Sequence, residues 1–167
     1  MKQRCLLFLM VIIALILQST LLELVRFYVK PDLILIIVVF VALLRGSREG
    51  FLFGLAAGFL EDLLAGRYLG LFSLAMSLTG GAAGFLEDKV FKENLLVPII
   101  VVFGATLLRG FFLLGISGLA GTKVLALKTG MGLAFMEACY NALLVPLFYG
   151  WFFSWYSRIK LQAESGE

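Results

Sequence analysis

The sequence has no histidine, only two cysteines, and charge on just 15% of its residues. Each shortage removes a class of chemistry. Without histidine there is no Cys/His zinc site and no imidazole to activate Ser73, Ser77 or Ser117, and a G-x-S-x-G elbow is missing as well. Cys5 and Cys139 stand far apart, so they provide no disulfide framework and read as small apolar residues. So little charge cannot clothe a soluble globule. The net charge of +3 comes from basic residues gathered at the ends of apolar runs, a membrane-orientation pattern and not a nucleic-acid footprint.

What the sequence does have is hydrophobic mass: 62% of its 167 residues, with a mean hydropathy of +1.04. The expected fold is an all-α integral membrane protein, a single bundle of six transmembrane helices with both termini cytoplasmic. Apolar runs broken by charge place the spans at about 5–22, 31–44, 50–65, 69–86, 95–115 and 131–153. Residues 1–157 then form one transmembrane domain and 158–167 a short cytoplasmic tail. The first span imitates a secretory signal, with Lys2 and Arg4 before an apolar run. No small-x-small site follows it, so it is expected to stay in place. Spans two and three, at roughly 21 to 24 Å, fall short of a hydrocarbon core of about 30 Å. They must stand upright, borrow flanking residues, or sink inside the bundle.

Orientation follows from the basic residues of alternate loops. Lys2, Arg4, Arg45, Arg48, Lys89, Lys92, Arg158 and Lys160 mark one side, against Arg26, Lys30, Arg67, Lys123 and Lys128 on the other. The heavier side is assigned to the cytoplasm. An aromatic belt of Tyr149, Trp151, Trp155 and Tyr156 just before Arg158 agrees with this.

The segment RGSREGFLFGLAAGFLEDLLAGRYLG, residues 45–70, organises the rest. Gly50, Gly54 and Gly58 recur every four residues and lead to Asp62, giving one stripe without side-chain bulk that ends in a carboxylate. Such a stripe brings a neighbouring helix close. An ionised Asp near mid-membrane costs about 2.5 to 3.5 kcal/mol, so Asp62 is expected to face a partner or water. Span two opens with Pro31 and Asp32, a fitting helix start, and its apolar body shows no polar face, which would let it meet lipid all round. AAGFLED occurs at 56–62 and again at 82–88, too short a repeat to establish an inverted architecture.

Spans five and six carry Arg109, Glu137 and Asn141, the last two one turn apart, with Thr106 also polar. In this topology Asp62, Arg109 and Glu137 share the outer half of the membrane, and depth alone suggests that Arg109 pairs with Asp62 and Glu137. The loop 116–130 is the longest on the outer side and is read either as an interfacial segment or as a plain connector. The adjacent acids Glu61/Asp62 and Glu87/Asp88 point to opposite membrane faces, so they cannot share one metal. No cofactor and no enzymatic activity are expected.

Residues 30–74, KPDLILIIVVFVALLRGSREGFLFGLAAGFLEDLLAGRYLGLFSL, and the stretch FKENLLVPIIVVF at 91–103 resemble the MreD family of rod shape-determining proteins. The Pro-Asp start, the basic turn and the glycines leading to an Asp and then Leu-Gly are met by Pro31, Asp32, Arg45, Gly54, Gly58, Asp62, Leu69 and Gly70. The resemblance implies a multi-pass protein of the bacterial inner membrane, a non-catalytic subunit of the cell-wall elongation machinery. Its expected partners are an MreC-like bitopic protein and, through it, MreB filaments, RodA and the transpeptidase paired with RodA. Gly50, Gly54, Gly58, Asp62, Gly70, Pro31 and Asp32 are the expected helix-packing or partner-binding residues, and Asp62, Arg109, Glu137 and Asn141 an intramembrane polar cluster. The alternative is the substrate-binding membrane subunit of an energy-coupling-factor vitamin transporter. Those subunits are similar in size, span number and glycine-rich helices that end in acids, but a vitamin site needs more convergent polar groups than are apparent here.

Overall fold

A computed structural model describes residues 2–24, 29–66, 69–87, 95–119, 121 and 127–164. Its elements are all helical: α1 (Lys2–Leu24), α2 (Leu33–Ala65), α3 (Leu71–Gly84), α4 (Leu96–Leu119) and α5 (Leu127–Glu164). Two stretches, Leu96–Leu119 and Gly130–Gly150, are long and apolar enough to cross a membrane, and Leu7–Thr20 and Leu71–Gly84 are shorter apolar helices. α5 runs through residues 158–164, where a tail was expected. Most basic side chains of the orientation count, and those of Trp151, Trp155 and Tyr156 in the belt, lie outside the described side chains. So does residue 88, the last of the second AAGFLED copy.

The second and third expected spans are joined in α2, which is broken at Gly46, where φ 83° and ψ 178° are not helical. That corner of backbone space is open essentially to glycine alone. It turns α2 into two arms, 33–45 and 47–65, folded back on each other. A side-chain carbon built on Gly50 would lie 2.6 Å from the Ala42 Cβ, although eight helical residues span roughly 12 Å along an unbroken axis. Arg109 contacts both Asp32, before the first arm, and Glu61, near the end of the second. A straight helix would hold these two positions roughly 43 Å apart.

The first arm is the centre of the core. Ile34, Leu35, Ile36 and every residue from Val38 to Leu43 are buried, so this arm is sunk inside the bundle and does not meet lipid all round. A helix that is apolar on all sides requires neighbours on all sides. These come from Leu7, Val11, Ala14 and Leu15 of α1, Met76 and Ala83 of α3, Val101, Val102 and Ala105 of α4, and Val145, Tyr149 and Phe152 of α5. Phe40 stacks at a tilt on Phe152 and edge-on to Tyr149, with centroids 5.3 and 5.7 Å away.

α2 and α3 share the most extensive helix contact among the described residues, and the second arm lies along α3. A carbon built on Gly54 would lie 2.5 Å from the Met76 carbonyl oxygen, and one on Gly58 would lie 2.6 Å from that of Phe72; Gly50 meets the carbonyl of Gly80 at 2.6 Å. Four residues up one helix match four down the other, as an antiparallel pair requires. The glycine ridge is therefore occupied by the chain's own α3, and it is not an open seat for a partner. Ser47 Oγ donates to the Gly81 carbonyl at 2.7 Å and fastens the far end of the pair.

Candidate functional site

Asp32 is the N-cap of α2. Its backbone is extended, and Oδ1 accepts the Leu35 amide at 3.0 Å, which satisfies one of the donors a helix start leaves open. The same residue then reaches three other helices. Its amide donates to Asn141 Oδ1 of α5 at 2.8 Å, its Oδ2 pairs with Arg109 Nη1 of α4 at 2.7 Å, and Gln18 Nε2 of α1 approaches Oδ1 at 3.5 Å. Asn141 passes the network on, its Nδ2 donating to Thr106 Oγ1 at 3.1 Å, and Thr106 in turn donates to the Val102 carbonyl at 2.8 Å. Asp32, Thr106 and Asn141 are all buried.

Arg109, with 6% of its surface exposed, is the hub. Nη1 meets Asp32 and, at 2.8 Å, Glu137 Oε1; Nη2 meets Glu61 Oε1 at 3.3 Å. Phe72 of α3 lies under the guanidinium, its ring centre 5.6 Å from Cζ, within cation–π range. One planar cation thus ties both arms of α2 to α3, α4 and α5. Three acids around one arginine make a high-stakes arrangement, because a buried charge left unpaired costs far more than a matched pair returns.

Asp62 is not a partner of Arg109, contrary to the pairing expected from depth. Its carboxylate turns to the start of α3 and accepts the amides of Gly70 and Ser73 at 3.0 Å and of Phe72 at 2.9 Å, together with the Ser73 hydroxyl. A carboxylate at a helix N-terminus satisfies orphan donors and complements the dipole. Gly66 and Gly70 shape the intervening turn with positive φ of 64° and 98°. Gly70 therefore serves through its backbone, since nothing lies within 4 Å of where its Cβ would be. Pro31 sits half-buried just before the cap. Of the expected polar cluster, Arg109, Glu137 and Asn141 come together and Asp62 stands apart. Asp32 and Glu61 complete the set, neither having been assigned to Arg109 from sequence. The available signal was helical geometry: residues 61 and 62 project about 100° apart, so only one can face α4.

The family described as rod shape-determining protein MreD matches residues 2–159. The chain belongs to the MreD family. Among curated proteins and solved structures, none matches it. In this MreD protein the matched region takes in the whole helical bundle from α1 to Ile159, including the Gly46 fold-back, the Asp62 cap and the Arg109 hub. MreD proteins are membrane proteins concerned with rod shape, and in this one buried polar side chains join helices that are otherwise apolar. The arrangement resists separation of the helices, because each departing helix would strand a charge or an amide in a medium that cannot solvate it.

Proposed function

We propose that this protein is a non-catalytic, six-pass subunit of the cell-wall elongation complex of a bacterial inner membrane, with both termini in the cytoplasm. The family match across residues 2–159 carries this reading. The six crossings are α1, the two arms of α2, α3, α4 and α5, and the fold-back at Gly46 supports counting α2 twice. In this role the protein holds an MreC-like bitopic protein and, through it, engages MreB filaments, RodA and the RodA-associated transpeptidase, so that wall synthesis follows the rod axis.

The bundle supplies a rigid body for this task. Its outward faces carry apolar side chains suited to a partner's transmembrane helix, among them Leu9, Ile12 and Ile16 on α1 and Phe135, Leu143 and Leu147 on α5, all exposed. The glycine ridge is already filled, so partner binding uses these outer faces. The test is affinity purification from native membranes with mass spectrometry, combined with depletion of the protein. Capture of the bitopic partner and wall-synthesis enzymes, with rounding of depleted cells, is the expected result. Capture of an ATPase pair with a coupling subunit, and unchanged cell shape, would overturn it.

A further inference from the structure

Two hollows lie along α1, the start and first arm of α2, and α5, and Arg109 of α4 also lines the first of them. The first is a cavity of about 280 Å³ whose lining includes Gln18, Lys30, Asp32, Arg109 and Glu137. The second is an apolar groove of about 210 Å³ whose walls include Ile13, Leu17, Leu33, Phe40 and Phe152. Leu17 and Leu33 in the groove are the immediate chain neighbours of Gln18 and Asp32 in the cavity, so the polar hollow sits at one end of the apolar one. Ile13 and Leu17 are 49% and 37% exposed, which puts the groove on the outside of the bundle.

Three buried atoms on the cavity's lining residues have no hydrogen-bond partner; Asp32 Oδ2 is ion-paired with Arg109 Nη1, which leaves Arg109 Nε, a donor, and Gln18 Oε1, an acceptor. Native interiors leave few such atoms unmatched, and this pair asks for a ligand that both accepts and donates. Among the described residues carboxylates outnumber cations here, since Asp32, Glu137 and, behind the guanidinium, Glu61 face Arg109 and Lys30. A purely anionic headgroup is disfavoured by that balance, and a quaternary ammonium has no N–H for Gln18. The groove is lined by apolar side chains and opens on the outside of the bundle. A hydrocarbon chain fits it.

We propose that the two hollows form one site for a phospholipid with a primary-amine headgroup. The ammonium lies against Glu137, Asp32 and Gln18 Oε1, the phosphate against Arg109 Nε, and one acyl chain lies in the groove. The groove residues Ile13 and Leu17 are other than those offered above to protein partners, though next to them in the chain, and the site stands whether or not the cell-wall reading does.

The experiment is native mass spectrometry of the full-length protein in detergent, titrated with phosphatidylethanolamine, phosphatidylcholine or phosphatidylglycerol of identical chains. Phosphatidylethanolamine is expected to bind at least fivefold more tightly than either of the others. Glu137→Gln should reduce that preference to less than twofold, and Ile13→Trp should weaken all three lipids together. Where Glu137→Gln fails to give folded protein, Gln18→Leu, which spares the arginine hub, should lower the preference about threefold. Equal binding of the three lipids, or a preference that survives both headgroup-site variants, overturns the proposal. So does a complex with the bitopic partner in which photo-crosslinkers at residues 13 and 17 label the partner and no lipid is retained, because the groove then belongs to a protein.

Discussion

Glu61 and Asp62 are neighbours in the chain and serve opposite kinds of partner. Glu61 Oε1 reaches the guanidinium of Arg109 at 3.3 Å, whereas Asp62 collects the amides at the start of α3 at 2.9 and 3.0 Å. One acid neutralises a cation and the other ends a helix. Because the two project about 100° apart on the second arm, that arm is fixed in rotation as well as in position.

That division gives a double-mutant test. Arg109→Leu strands three carboxylates and is expected to cost about 3–5 kcal/mol, the usual penalty for breaking a buried pair. Combined with Glu137→Gln it should be non-additive by about 0.5–3 kcal/mol, since the second change removes one of the stranded charges. Combined with Asp62→Asn the coupling should be less than half as large. Thermal unfolding in detergent measures all of these, and a larger coupling to Asp62 than to Glu137 would contradict the assignment.

Asp62→Ala leaves the amides of Phe72 and Ser73 without acceptors, and an unmatched buried donor costs about 1–3 kcal/mol. Asp62→Asn retains one acceptor oxygen and should lose less. Hydrogen exchange is the direct probe: in Asp62→Ala the first turn of α3 should exchange faster while α4 is unchanged. Equal protection in mutant and parent would remove the cap from the account.

Substitutions along the ridge should separate by position. Gly54→Leu and Gly58→Leu drive side-chain atoms into the carbonyls of Met76 and Phe72, and overpacking of this kind costs about 1–3 kcal/mol or more. Gly104→Ala meets nothing within 4 Å, and by helix propensity alone it should gain about 0.5–1 kcal/mol. Melting temperatures of the three variants, taken in one detergent, decide it, and a uniform response would show that the ridge does not hold α3.

Gly46→Ala is expected to cost about 1–3 kcal/mol, because φ 83° with ψ 178° is closed to a residue with a Cβ. The Glu87 carboxylate also lies against this glycine, 2.5 Å from where the Cβ would stand, but it is the end of a mobile chain and can move aside. Gly46→Ala with Glu87→Ala should therefore be no more stable than Gly46→Ala alone. Recovery in the double mutant would mean that crowding, and not backbone strain, is what the glycine relieves.

Composition and the spacing of apolar runs were enough to read an all-helical bundle, and the glycines every four residues correctly implied a close neighbour. Which neighbour was hidden, because a ridge without side chains says nothing about whether a partner's helix or the chain's own α3 fills it. The fold-back was legible only as a gap between two short apolar runs; the positive φ of Gly46 is a backbone fact that the letters RGSREG do not specify. The start at Pro31 and Asp32 could be read from capping chemistry, whereas the second duty of Asp32, toward Arg109 and Asn141, depends on contacts 77 and 109 residues away. Depth in the membrane put Asp62 beside Arg109, but rotation about the helix axis gave that place to Glu61.

The burial of the first arm bears on how the protein is made. The first arm is apolar enough to enter lipid by itself, but the carboxylate at its start, Asp32, finds its cation in a helix synthesised 77 residues later. Until Arg109 is made, that carboxylate lacks the charge it meets in the finished bundle, so truncation before α4 should yield a product that quality-control proteases remove.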